Sequence, residues 1–121
     1  MPKGRASPES RLPLSDLELL ILLALVEEPL HGYALLARVN ERSSGFVQTG
    51  PTTLYRTIAN LVADELIEEA PHLRAPGEDV RRKYFRNTSH GRAVLRAELR
   101  RLSGLLDHAR ELGISYQPGG R

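Results

Sequence analysis

Residues 50–69 read GPTTLYRTIANLVADELIEE, and the way this stretch folds decides how the rest of the chain is arranged. Gly50 suits a helix cap, and Pro51 suits the first helical position, where its missing amide costs nothing. Leu54, Ile58 and Leu61 fall within one sector of a helical wheel with Val62 beside them, so that face is expected to be core. The opposite face carries Thr52, Arg56, Ala59, Asn60 and Ala63, with Thr53 at its edge and Tyr55 on the flank. No acid occurs in the stretch before Asp64, although the chain holds 15 Asp and Glu. A helix entering the major groove of DNA passes between two rows of phosphate, where a carboxylate would be repelled. Ala59 and Ala63 would let such a helix come close. Thr52, Thr53, Arg56 and Asn60 supply donors, and Arg and Asn can make bidentate contacts to guanine and adenine edges. Tyr55 holds a hydroxyl within reach of the DNA backbone from the flank. Taken alone, the same pattern also fits an ordinary surface helix with a good Thr-Thr start.

Downstream, LIEEA (66–70) reads as a short strand, 71–82 as a hairpin loop with two prolines and a glycine, and KYFRNT (83–88) as the return strand. Arg81, Arg82 and Lys83 cluster on this hairpin, with Arg74 across the loop and Arg86 further along. A basic hairpin beside a reading helix suits phosphate or minor-groove contact. Glu78 and Asp79 sit in the same loop and weaken the positive field there.

Upstream, residues 1–13 are rich in Pro, Ser and charge and read as a mostly disordered basic arm. Ser15-Asp16-Leu17-Glu18 fits a capping box that opens a helix to about Glu27, which stops before Pro29. Leu30 to Tyr33 is the connection to a second helix, on which Tyr33, Leu36 and Val39 share one face, and Ser43, Ser44 and Gly45 end it. Thr88 or Ser89 caps a long last helix, roughly His90 to Leu112, with Gly113 after its end.

The expected fold is therefore mainly α with a small β-hairpin: a winged helix-turn-helix plus a long C-terminal helix. Its parts are the arm (1–13), a DNA-binding domain (14–88), a dimerisation helix (89–113) and a loose tail (114–121). On the last helix Leu95, Leu99, Leu102, Leu106 and Ala109 recur at spacings of four and three, and Leu105 and Leu112 widen the stripe. So regular a seam exceeds what one small domain needs to cover and reads as a homodimer interface; packing on the chain's own first helix is the alternative. Gly104 interrupts this helix and leaves room for a close crossing.

Composition narrows the other options. The 121 residues include no cysteine, which removes disulfides, thiolate catalysis and Cys-ligated zinc and is compatible with a cytoplasmic setting. The net charge of +2 says little about partners, so a polyanion must be argued from where the charges lie. The apolar run from Leu19 to Val26 is far shorter than the ~20 residues a bilayer span requires, and neither a membrane segment nor a secretory signal is expected. His31, His72, His90 and His108 fall in separate elements without metal-ligand spacing and read as surface or capping residues. No phosphate loop or nucleophile motif occurs, so no catalytic residue, metal or cofactor is assigned and the protein is not read as an enzyme. The competing reading is a winged-helix module that binds protein without touching DNA; the acid-free helix face and the basic wing argue against it.

Over Leu14 to Leu99 the chain also resembles the PadR family of bacterial transcriptional regulators. The resemblance is carried by EEPLHGY (27–33), by the 50–69 block, and by RRKYFRNTSHGRAVL (81–95). The HGY, TLY and RKYF-x-x-T-x-x-G elements are specific in combination. The resemblance implies a dimeric winged-helix repressor of the compact branch, whose third helix and wing bind palindromic operator DNA and whose last helix forms the dimer. Thr53, Leu54 and Tyr55 fall on the family's TLY, Arg82, Lys83 and Tyr84 on its wing strand, and Gly32 and Tyr33 on its HGY turn, where a structural role is implied. Family members often release DNA when a small hydrophobic or phenolic compound binds. With no Trp and 5% aromatics, an aromatic-stacking pocket is not supported here, and no effector is named. Asn87 stands where an apolar residue is common, and Ser89-His90 replaces a frequent Pro-Glu.

Overall fold

The computed structural model describes residues 7–70, 77 and 82–116. Arg74, Arg81, Glu78, Asp79, most of the expected hairpin loop, residues 1–6 of the arm and 117–121 of the tail lie outside these. Helix α1 spans Asp16–Glu27 and opens with the expected capping box. The Ser15 hydroxyl accepts from the Glu18 amide at 3.1 Å, while the Ser15 amide donates to Glu18 Oε1 at 2.9 Å. Strand β1 (Leu30–His31) follows Pro29, then helix α2 (Gly32–Arg42) and helix α3 (Pro51–Ala63). Strands β2 (Ile67–Glu69) and β3 (Tyr84–Asn87) lead into α4 (Ser89–Glu111), which Thr88 caps by accepting from the Gly91 amide.

This is a mainly helical winged helix-turn-helix with a long C-terminal helix. The core gathers one face from each element: Ile21 and Leu22 from α1, Leu35 and Val39 from α2, Leu54 and Leu61 from α3, and Val94 from α4, all with 0% exposure. Burying such side chains stabilises a fold by about 1.5–3 kcal/mol each before entropy is counted.

Three features differ from the sequence reading. The expected two-stranded hairpin is a three-stranded antiparallel sheet in the order β1-β3-β2. Leu30 and His31, read as connection, pair with Phe85 and Tyr84. Second, the inward face of α2 is Gly32, Leu35 and Val39; Leu36 is half-buried and Tyr33 is 70% exposed. Gly32 takes the inward position because a Cβ there would overlap the Tyr55 ring. The structural role implied for the HGY turn thus holds for Gly32 and not for the Tyr33 side chain.

Third, residues 7–13 of the expected disordered arm are ordered. Pro8–Arg11 form a 3-10 turn, and Arg11 donates to Glu18 at 2.6 Å and to Asp64 at 3.0 Å. Just beyond it, the Leu14 amide donates at 2.9 Å to Glu98, an α4 carboxylate 1% exposed. Arg101 donates to the same carboxylate, with Nη2 to Oε2 at 3.0 Å. The Arg101 hydrogen bonds, aided by the Leu14 amide, hold the Glu98 carboxyl below its ordinary range against the opposing effect of burial. Asn87 is buried as well. Its Nδ2 donates to the Leu22 carbonyl at 3.0 Å and so ties β3 to α1, while its Oδ1 has no partner among the described residues.

Candidate nucleic-acid interface

Helix α3 divides cleanly. Leu54, Ile58 and Leu61 are buried, while Thr52, Thr53, Tyr55, Arg56, Ala59, Asn60 and Ala63 are exposed. Val62, expected beside the core face, is 40% exposed. The N-terminus of α3 is built differently from those of the other helices. Ser15, His31 and Thr88 each close a helix start with a side-chain acceptor, whereas Gly50 closes α3 with none. The first intrahelical bond at this end runs from the Leu54 amide to the Gly50 carbonyl at 3.1 Å, so the amides of Thr52 and Thr53 face outward without a helix partner. No acid lies in the first turn. The helix dipole there favours negative charge.

Charge pairing sharpens the contrast. Arg38 and Arg42 are bound by Glu27, Arg86 by Glu68 at 2.9 Å, and Arg101 by Glu98. Arg86 therefore sits in a cross-strand pair and adds little to the positive field of the wing. Arg56, Asn60 and Lys83 engage no side-chain partner among the described residues. Asp64, the first acid after the open face of α3, is held by Arg11, which offsets its charge. Arg82 and Lys83 are both exposed just ahead of β3. The structure thus brings Thr52, Thr53, Arg56 and Asn60 onto one open helix face. Tyr55 lies on the flank with its ring over Gly32, and Arg82 and Lys83 stand across a groove from that flank.

Two exposed aromatics were not foreseen as surface features. One is Tyr33. The other is Phe46, 93% exposed in the turn between α2 and α3. That turn is stiff. Ser44 and Gly45 take left-handed φ values of 54° and 86°, the Ser43 hydroxyl accepts from the Val47 amide at 3.1 Å, and Asn40 Oδ1 accepts from the Thr49 amide at 3.2 Å. A phenylalanine inside the Ser- and Gly-rich stretch SSGFVQTG is the sequence signal that could have flagged it.

The expected dimer ridge splits in two. Leu95 is buried in its own chain's core at 5% exposure, and Leu102 and Ala109 are half-buried. Leu99, Leu105, Leu106 and Leu112 are uncovered, with exposures of 42% to 67%. Nothing lies within 4 Å of a Cβ built on Gly104. Among the described residues, no helix is long and apolar enough to cross a membrane and no cluster of His, Asp and Glu could hold a metal ion.

Comparison with known proteins agrees with this architecture. A PadR-like transcriptional regulator from Bacillus cereus superimposes with a TM-score of 0.67 at 23% identity, covering 83% of this chain and 93% of that one. Bacillus subtilis PadR, solved in complex with operator DNA, superimposes with a TM-score of 0.60 at 20% identity, covering 88% of this chain and 51% of that one. In sequence, the chain is 39% identical over 93 residues to an uncharacterized 37.1 kDa protein in a transposon of Streptomyces fradiae. That match takes in 74% of this chain but spans only 25% of the relative's length. The transcriptional regulator PadR-like family matches residues 21–97, from the middle of α1 through the sheet and into α4. With both α3 and the wing inside that match, the chain belongs to the PadR-like family of transcriptional regulators.

Proposed function

We propose that this PadR-like regulator is a homodimeric repressor of palindromic double-stranded operator DNA, with α3 in the major groove and Arg82 and Lys83 on the backbone. The observation that carries this reading is the outer face of α3: exposed, free of acid, and holding Arg56 and Asn60 without side-chain partners among the described residues, while most other described arginines are paired. Thr52, Thr53 and Tyr55 flank these two. Arg74 and Arg81, outside the described residues, extend the basic wing in the same reading. Support for the dimer comes from the uncovered leucines of α4. One reading helix makes few base contacts; two held together read half-sites about 34–36 Å apart, and tethering makes the second contact nearly intramolecular. Release by a small hydrophobic effector belongs to the same reading, through the family.

Mobility-shift titration over a salt series tests it. Arg56→Ala is expected to weaken binding and blur preference at one base by ~1–3 kcal/mol, whereas Lys83→Ala weakens all sequences evenly and flattens the salt dependence. If both variants bind like the wild type, the reading surface is wrong. Sites selected from random duplexes should show paired half-sites. Leu102→Glu should yield monomers in sedimentation; an unchanged dimer places the interface elsewhere.

A further inference from the structure

The turn that leads into α3 carries a side chain the fold does not use. Phe46 is 93% exposed, the highest exposure of any large hydrophobic side chain described. Its backbone is fixed. The Phe46 amide donates to the Ser43 carbonyl at 3.0 Å, and the Ser43 hydroxyl accepts from the Val47 amide. Val47 turns inward and packs against the core, so its neighbour Phe46 faces away. Asn40, on α2, accepts from the Thr49 amide one residue ahead of Gly50. The turn is thus tied to α2 at one end and to the start of α3 at the other. Single exposed apolar side chains are common on protein surfaces. This one is set apart by the braced turn beneath it: a phenyl ring on a fixed mount forfeits the stabilisation of burial in the free protein and has little ordering entropy left to lose on binding.

The surroundings of the ring narrow its partner. From Ser43 to Ala63 the sequence holds no Asp or Glu and a single charge, Arg56. The acid-free surface therefore begins in the turn, ahead of α3, and the exposed neighbours Ser44, Gly45 and Gln48 are uncharged. An acid-free border is a requirement for meeting a polyanion and a matter of indifference to a protein partner. Phe46 stands four positions before Gly50, within about 14 Å of it along the chain, at the end of α3 whose first amides face outward. That end favours a phosphate. The ring has neither charge nor donor, and pressing a phosphate against it would strip hydration without return. Between successive phosphates of a strand lies the deoxyribose, whose carbon-rich face is the apolar part of the backbone.

We propose that Phe46 packs on the deoxyribose next to the phosphate met by the start of α3, and so fixes the position of the strand at the edge of each half-site without reading its sequence. The contact rests on the reading of α3 as the DNA-binding helix. It differs in kind from the other two: Arg56 discriminates bases, Lys83 supplies charge, and Phe46 sets position.

Mobility-shift titration of the full chain over a salt series, on duplexes selected from random DNA, tests the proposal together with hydroxyl-radical footprinting, which reports the exposure of each deoxyribose. Phe46→Ala is expected to weaken binding about tenfold on every selected sequence, the effect of uncovering part of a phenyl ring. It should leave the slope against salt and the melting temperature of the free protein unchanged, and should expose the sugars at one edge of each half-site while the rest of the footprint stays. Phe46→Leu should keep most of the affinity. A lower melting temperature in Phe46→Ala would show that the ring serves the fold and overturn the proposal. So would a thymine-to-deoxyuridine exchange that weakens the wild type at one position and leaves Phe46→Ala indifferent, because the ring would then be reading a base methyl. If Phe46→Ala binds like the wild type while Arg56→Ala is weakened, this contact alone falls. If the wild-type chain selects no duplex, the DNA reading falls and the contact with it, and the ring belongs to a protein partner.

Discussion

Helices α1 and α3 are nearly equal in length and both feed the core, yet their polar groups are used in opposite ways. On α1, Ser15 closes the first turn, Arg11 holds Glu18, Arg38 and Arg42 hold Glu27, and Asn87 reaches the Leu22 carbonyl. On α3 the first turn is left open, and Arg56 and Asn60 are exposed without side-chain partners among the described residues. The Thr57 hydroxyl donates back to the Thr53 carbonyl at 2.9 Å, and Asp64, at the exit of α3, is engaged by Arg11. A helix that serves the fold satisfies its donors and acceptors internally, because an unmet buried group costs more than a bond gains. An exposed helix face can leave its polar groups open, because water satisfies them there.

The contrast can be broken most forcefully from the α1 side. Leu22→Ala removes a fully buried side chain and should cost about 2–5 kcal/mol in denaturant unfolding; a loss under about 1 kcal/mol would mean that α1 is not the structural helix. Glu98→Ala, which strips the acceptor from the Leu14 amide just ahead of α1, should cost about 1–3 kcal/mol. Its pH signature has a definite sign. Because the folded Glu98 carboxyl lies below its ordinary value of 4.5, its stabilisation is complete above that value and lost as pH falls through the lowered one. Glu98→Gln should flatten that part of the acid unfolding curve, and a curve identical to the wild type would refute the assignment. The finest test exchanges the two designs. Ser15→Ala should cost about 1 kcal/mol, while Gly50→Ser, for which open space exists, should add a few tenths to stability. The new hydroxyl would occupy the free amides of α3, so Gly50→Ser should bind duplex less well despite melting higher. Tighter duplex binding would show that the open first turn plays no part in recognition.

What could be read in advance follows from how local the cause is. The Ser15 box, the Gly50-Pro51 start of α3 and the Thr88 cap are written in adjacent residues, and α3's division into a core face and a polar face needs only its own periodicity. Strand β1 was missed because two residues carry no pattern, and their pairing depends on β3 returning from far along the chain. The ordering of residues 7–13 was missed for a similar reason: a Pro- and Ser-rich composition predicts no structure, and the anchors of this segment, Glu18 and Asp64, lie outside it in the sequence. Val39 is buried as expected, but the other two α2 positions, Tyr33 and Leu36, were assigned one residue off, because Tyr33 looks like core by composition whereas Gly32 takes the inward place. Among the candidate site residues, exposure of Thr52, Arg56 and Asn60 followed from periodicity. The capture of Arg86 by Glu68 and the groove between Val62 and Lys83 required the fold.

The root of α4 carries a consequence for motion. The Leu66 carbonyl accepts from both the Thr88 amide and the Thr88 hydroxyl, and a Cβ on Gly91 would run into that carbonyl. The last helix is thus keyed directly to the corner that ends α3, with no side chain between them to absorb slack. In an assembly of two such chains, a tilt of one α4 against the other would swing each α3 as a rigid lever, turning small changes in crossing angle into changes in the distance between the two tips.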